Sequence, residues 1–231
     1  MKMQKEDGMT LVELIVALTL FAIIASTAYS ALMQIMSASK ALDDERDIGM
    51  ISNAVLSRLS RELQLMTEDG RLLPPPQSLK NIPGDKEDCR GTPETIKGGG
   101  SGDTITFVAE EAGQYVPDGQ THNGLVQITY RVEPVPGEEN PKDEEIFYLI
   151  RDEVPLIKPA QDAYKLRMTF PVTKRLVGLK FRYFDEERDE WSDTWDETRG
   201  YLPTIIHFVL KLRSPEGKIH TYSSDLAIKR D

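Results

Sequence analysis

Between Glu13 and Lys40 the chain carries no charged residue. A helix rises about 1.5 Å per residue, so this stretch of roughly 26 residues is long enough to cross the hydrocarbon core of a bilayer. Leu14 to Ser39 is therefore a spanning segment by length alone. Glu13 stands at its mouth, where an ionised carboxylate costs on the order of several kcal/mol unless something pairs with it. The sequence thus predicts a membrane-length helix and a partner for one carboxylate.

Charge sets the orientation of such a span. Lys2 and Lys5 precede it, whereas Asp43, Asp44 and Glu45 follow it, so the positive-inside rule places the bulk of the chain outside. About 190 residues lie beyond the span, enough for one domain with a substantial core and too few to require two. A net charge of -10 and a pI near 4.9 argue against a nucleic-acid-binding surface, which is normally basic. Cys89 is the single cysteine, which excludes a disulfide framework and a cysteine metal site and suggests a loop residue. A secretory signal peptide cut near Ala28 or Ala31 is the bland alternative. An acidic residue directly before the apolar core and an apolar run beyond about 15 residues count against it.

The helical pattern continues past the span. Ile48, Ile51, Val55, Leu59 and Leu63 recur at spacings of three and four, with Arg58, Arg61 and Glu62 between them, which is one apolar stripe on an otherwise polar helix. The helix is expected to end near Met66, before Gly70 and the Pro74-Pro75-Pro76 run. Residues 67–103, rich in Pro and Gly, read as an irregular connection. Strands are predicted at Thr104–Ala109, Leu125–Glu133, Ile146–Asp152, Lys165–Phe170, Val177–Asp185, Pro203–Arg213 and Lys218–Ile228. The last two are joined by Ser214-Pro215-Glu216-Gly217, which suits a type I turn. The expected class is α+β, a long helix packed on an antiparallel sheet.

The inventory for chemistry is poor. His122, His207 and His220 are scattered, and neither Gly-x-Ser-x-Gly nor His-Glu-x-x-His occurs. Gly98 to Gly102 leads into Asp103 and a strand rather than into the helix that a phosphate loop needs. The acidic segment 185–197 lacks the EF-hand spacing and reads as a solvated loop rather than a calcium site. An anchored enzyme working through paired carboxylates stays as a distant alternative.

Gly8-Met9-Thr10-Leu11-Val12-Glu13 resembles the class III leader of type IV prepilins and type II secretion pseudopilins. In that family a Gly precedes the cut and Glu is the fifth residue after it. The resemblance implies cleavage between Gly8 and Met9 by a prepilin peptidase, methylation of the new amine on Met9, and Glu13 as the assembly carboxylate pairing with a neighbour's amine. It divides the chain into a leader, 1–8; a transmembrane or filament-core helix, 9–39; an amphipathic stem, 40–66; the irregular loop, 67–103; and a β-domain, 104–231. It implies a pilin-like fold, no catalysis and no cofactor or metal.

A second resemblance covers the C-terminal half. Leu179 to Asp185, then Trp191 and Trp195-Asp196, then Leu202-Pro203, is similar to the order found in minor pseudopilin J of type II secretion, and Leu59-Ser60-Arg61-Glu62-Leu63 resembles that family's stem segment. The implied role is a tip subunit of the periplasmic pseudopilus that primes assembly for protein export. Implied partners resemble pseudopilins I and K, with the major pseudopilin and the inner-membrane assembly platform. Trp191 and Trp195 are candidates for a partner surface, or aromatics that pin a loop onto the sheet. The implied location is the inner membrane, N-terminus cytoplasmic, and then the periplasm. A minor pilin of a type IV pilus, shaped for adhesion or priming, shares the leader and stem.

Overall fold

Met66 marks the place where the long helix hands over to the sheet. In the computed structural model α1 runs from Leu11 to Gln64, and Met66 bridges Ala109 while the Thr67 amide donates to the Val108 carbonyl at 3.1 Å and Glu110 to Leu65 at 3.0 Å. The expected end near Met66 thus falls two residues early, because these backbone groups are taken by a strand. The structure describes residues 10–68, 72–73, 89–97, 99–110, 112–113, 124–134, 146–156, 160–196 and 199–229.

Residues 10–47 of α1 form one unit and Ile48–Asp231 a second. In the second, Ile48, Val55, Leu59 and Leu63 are buried and Ile51 is partly so. They share a core with Phe107, Ile128, Leu149, Phe181 and Phe208, so the stripe read from the sequence is the face the stem lays on its sheet. Each such side chain contributes about 1.5–3 kcal/mol by leaving water.

Among the described residues eight strands make one antiparallel sheet. They are β1 (Cys89–Thr92), β2 (Thr104–Glu110), β3 (Leu125–Pro134), β4 (Phe147–Pro155), β5 (Met168–Asp185), β6 (Glu190–Ser192), β7 (Ile205–Arg213) and β8 (Ile219–Ala227). Their order is β1-β2-β3-β4-β5-β7-β8, with β6 on β5. A short helix, α2 (Ala160–Lys165), lies between β4 and β5. The turn between β7 and β8 closes through the Gly217 amide on the Ser214 carbonyl at 2.9 Å, with Gly217 at a φ of 89° that its missing Cβ permits.

Three expectations are corrected. Lys165–Phe170 and Val177–Asp185 belong to no separate strands: Lys165 ends α2, and Met168–Phe170 and Val177–Asp185 both lie within the 18-residue β5. Pro171 sits instead at a register shift within the β4–β5 pairing and Gly178 at the shift where β5 takes up β7, the positions a sheet tolerates for such residues. The 67–103 segment is not wholly irregular, since it supplies β1 as the edge beside β2. Cys89 is consequently a buried strand residue, not a loop residue.

Gly91 and Asp103 explain how that segment is held. A Cβ on Gly91 would run into the Tyr183 ring and hydroxyl, so this glycine serves close packing rather than a turn. The buried Asp103 carboxylate accepts from the Ser101 hydroxyl at 2.8 Å and from the Phe181 amide at 2.9 Å, clipping the approach to β2 onto β5. Gly91→Ala should therefore lower stability by about 1–3 kcal/mol through overpacking. Gly49→Ala, in mid-helix with open space around it, should raise it by roughly 0.5–1 kcal/mol. Paired urea titrations of the two variants check both signs.

Candidate functional site

Glu62 reads as part of the polar face of the stem, and the structure corrects this. It is fully buried under the sheet, with Tyr130, Arg151 and Glu153 equally enclosed. Tyr130 and Arg151 are cross-strand partners on β3 and β4, which places both on the face that receives α1. The Tyr130 hydroxyl donates to Glu62 Oε2 at 2.7 Å, and Arg151 Nε lies 2.9 Å from the same oxygen. Arg58, one turn back on α1, reaches Glu62 Oε1 at 3.2 Å. Arg151 spends its remaining donors on Glu153 at 2.6 Å and the Ala112 carbonyl at 3.1 Å. Burial opposes the Arg151 charge, yet Glu62 and Glu153 outweigh it and raise its pKa. Burial and the Glu62 charge together push the Tyr130 hydroxyl well above its ordinary value. Removing one partner of such a buried pair is strongly destabilising.

Asp152, the next residue along β4, points to the opposite face. It gathers Arg131 Nε at 2.5 Å, Arg167 Nη2 at 2.5 Å and the Thr169 hydroxyl at 2.6 Å. Burial works against its charge, but these donors hold its carboxyl below the usual range.

The acidic segment after β5 is organised rather than loose. Asp185 is buried and accepts from Arg199, from the Tyr201 hydroxyl at 2.8 Å and from the Glu187 amide at 3.1 Å. Burial again opposes the charge and the Tyr201 and Arg199 donors prevail, so its pKa is lowered. Asp193 pairs with Arg182 at 3.3 Å and Lys180 at 3.5 Å. Among the described residues no three His, Cys, Asp or Glu side chains are placed to hold a metal ion.

The two tryptophans do different things. Trp195 is 1% exposed; its backbone exchanges hydrogen bonds with Gly91 at 2.7 and 3.0 Å, its indole N–H donates to the Tyr201 carbonyl at 3.1 Å, and Arg199 covers its ring at 4.6 Å. Its ring therefore belongs to the core and offers no docking face, which corrects the joint Trp191–Trp195 surface. Trp191, on β6, is 40% exposed. It packs on Phe184 at 5.3 Å between centroids, with Arg182 at 5.5 Å and the His207 ring edge-on at 6.4 Å.

At the other end of the chain, Gly8 and Met9 lie outside the described residues. Thr10 and Glu13 form a reciprocal cap: the Thr10 amide donates to Glu13 Oε2 at 3.0 Å, its hydroxyl reaches the same oxygen at 3.1 Å, and the Glu13 amide donates to Thr10 Oγ1 at 3.3 Å. Thr10 supplies hydrogen bonds to the carboxylate but no counter-charge. Beyond it Leu11, Val12, Phe21 and Ile35 are exposed. The hydroxyls of Thr19, Thr27 and Ser37 turn inward onto the Val16, Ile24 and Gln34 carbonyls, so these three hydroxyls are satisfied without water. The helix is long and apolar enough to cross a membrane.

Residues 3–29 match the prokaryotic N-terminal methylation motif. The methylation motif supports a type IV pilin-like protein and is consistent with α1 as its membrane anchor. It implies processing by a prepilin peptidase and assembly into a pilus-like filament. The match ends inside α1, well before the sheet. No curated protein matches the chain.

Sequence reasoning singled out Glu13 and the tryptophans and missed the Glu62 cluster. A signal for the cluster was present: Arg151-Asp152-Glu153 puts three charges in succession inside a strand, so at least one face of that strand must bury charge. The two lowered carboxyls make a testable consequence. Each contributes stability that is fully present above the ordinary carboxylate value of 3.8 and is lost as pH falls through the lower folded-state value. Unfolding free energy should thus be flat from about pH 7 to 5 and fall below about pH 4. Asp152→Asn should lower the neutral-pH plateau and flatten that acid limb, as measured by denaturant titration across pH.

Proposed function

We propose that this chain is a minor pseudopilin of a type II secretion system, a structural subunit at the tip of the periplasmic pseudopilus that primes filament assembly for protein export. The observation that carries the reading is the uncharged, exposed half of α1, headed by a single carboxylate within the methylation motif. An exposed apolar surface of that length needs lipid or other helices around it. A pilin-like subunit meets both environments in turn, the membrane before assembly and the filament centre afterwards.

In this reading prepilin peptidase cuts between Gly8 and Met9, and Met9 carries the methylated amine. Glu13, which Thr10 holds by hydrogen bonds alone, exchanges that cap for the cationic amine of a neighbouring subunit. The exchange is favourable because a carboxylate in low dielectric gains far more from a full positive charge than from a hydroxyl. The β-domain stands on the periplasmic side of the inner membrane and selects its partners, which resemble pseudopilins I and K above a shaft of major pseudopilin. Trp191, with Phe184 and Arg182 around it, is the side chain of this face that suits an interface anchor. The role involves no catalysis. The tip assignment draws its support from the likeness of the stem segment Leu59–Leu63 and of the Trp191, Trp195, Leu202-Pro203 order to minor pseudopilin J.

Deleting the gene in its host and scoring exoprotein secretion against surface piliation tests the reading. Loss of secretion with normal piliation is expected. Loss of pili with normal secretion would instead assign the chain to a type IV pilus as a minor pilin. In the complemented strain Glu13→Ala should be cleaved at the wild-type rate yet recovered in sheared or cross-linked filaments at least tenfold less. Wild-type incorporation of the cleaved variant would contradict the role given to Glu13.

A further inference from the structure

The apolar stripe of the stem does not by itself fix where the helix lies along the sheet. Ile51, Val55, Leu59 and Leu63 recur at intervals of four. A screw shift of four residues, about 6 Å along the axis, would therefore put Ile51, Val55 and Leu59 into the places of Val55, Leu59 and Leu63. Apolar side chains would still fill all three buried positions. Burial of this kind is non-directional and discriminates poorly between the two registers.

The charged residues discriminate sharply. The same shift carries Arg58 into the place of Glu62, where it would face the fully buried Arg151. Two guanidinium groups enclosed together are repelled with little solvent screening. A shift the other way brings Met66 to that place, which leaves the enclosed Tyr130 hydroxyl without its acceptor and Arg151 with Glu153 as its one remaining carboxylate among the described residues. Opposite charges one turn apart on α1 thus make one register favourable and its two neighbours costly. We propose that Arg58, Glu62 and Arg151 form a charge-coded register lock between the stem and the sheet. Its use rests on the function proposed above, in which the helix passes from the membrane into the filament centre: the lock keeps the β-domain from sliding on the stem during that transfer.

Distance measurement between spin labels on the full chain in detergent micelles tests the lock, whether or not the chain is a pseudopilus subunit. Cys89→Ser removes the native thiol; one label sits at the exposed Ser57 on α1 and the other, in separate samples, at Thr221 or Ala227 on β8. The wild-type background should give one narrow distance for each pair. The apolar replacement Arg58→Met, Glu62→Met, Tyr130→Phe, Arg151→Met and Glu153→Met removes the code. It is combined with Asp44→Ala, so that the residue destined for the place of Ile48 does not itself select a register. It should fold and show a second population displaced by about 6 Å along the helix axis. The exchange Arg58→Glu with Glu62→Arg, also with Asp44→Ala, should move the main population to the displaced register. A single native distance in both variants would overturn the proposal, because the apolar stripe and the backbone pairing of Leu65 and Thr67 with Glu110 and Val108 would then suffice. Failure of the apolar variant to fold would overturn it as well, because the cluster would then be holding the fold rather than its register.

Discussion

A carboxylate buried beneath a sheet organises this molecule. Glu62 leaves water only because Arg151 and Tyr130 reach it from adjacent strands and Arg58 from its own helix. An ion pair in such a place is no bargain in net stability, since desolvation offsets most of the attraction. Its consequence is geometric. Under the proposed lock the stem meets the sheet in one register, with the stripe from Ile48 to Leu63 in the core and Met66 bridged to Ala109.

The other end of the same helix obeys the opposite logic. Among the described residues Glu13 has donors from Thr10 and no counter-charge, and the apolar side chains that follow it are exposed. One carboxylate is thus met by counter-charges within the domain; the other meets only Thr10 among the described residues, and in the function proposed above its counter-charge comes from a neighbouring subunit. A helix that is finished at its C-terminal end and unfinished at its N-terminal end suits a subunit that folds alone and functions in company. The methylation motif covers the unfinished part.

Periodicity carried most of the fold. The spacing of the stem stripe and the runs of β-branched and aromatic residues led to the long helix and to the sheet, because both depend on local pattern. What stayed hidden depended on contacts between distant residues. Arg151 lies 89 residues from Glu62, and nothing local to the stem tells a buried Glu62 from an exposed Arg61. Gly91 and Pro171 read as interruptions because glycine and proline usually are; here one makes room for Tyr183 and the other sits at a register shift within the β4–β5 pairing. The tryptophans looked alike in sequence, and only the Gly91 bridge and the Tyr201 carbonyl separate the buried Trp195 from the exposed Trp191. Of the candidate site, Glu13 was legible because a charge beside an uncharged membrane-length run stands out by composition alone.

Under the proposed function the chain is matured as a prepilin and works through its new N-terminus. Intact-mass and N-terminal peptide spectrometry of the full chain, produced with a prepilin peptidase and again without one, puts this to the test. The peptidase should yield a chain beginning at Met9 and carrying one methyl group on its α-amine, while the control retains residues 1–8. A chain that keeps its first eight residues in the presence of an active peptidase, or that begins near Ala28 or Ala31, would contradict it.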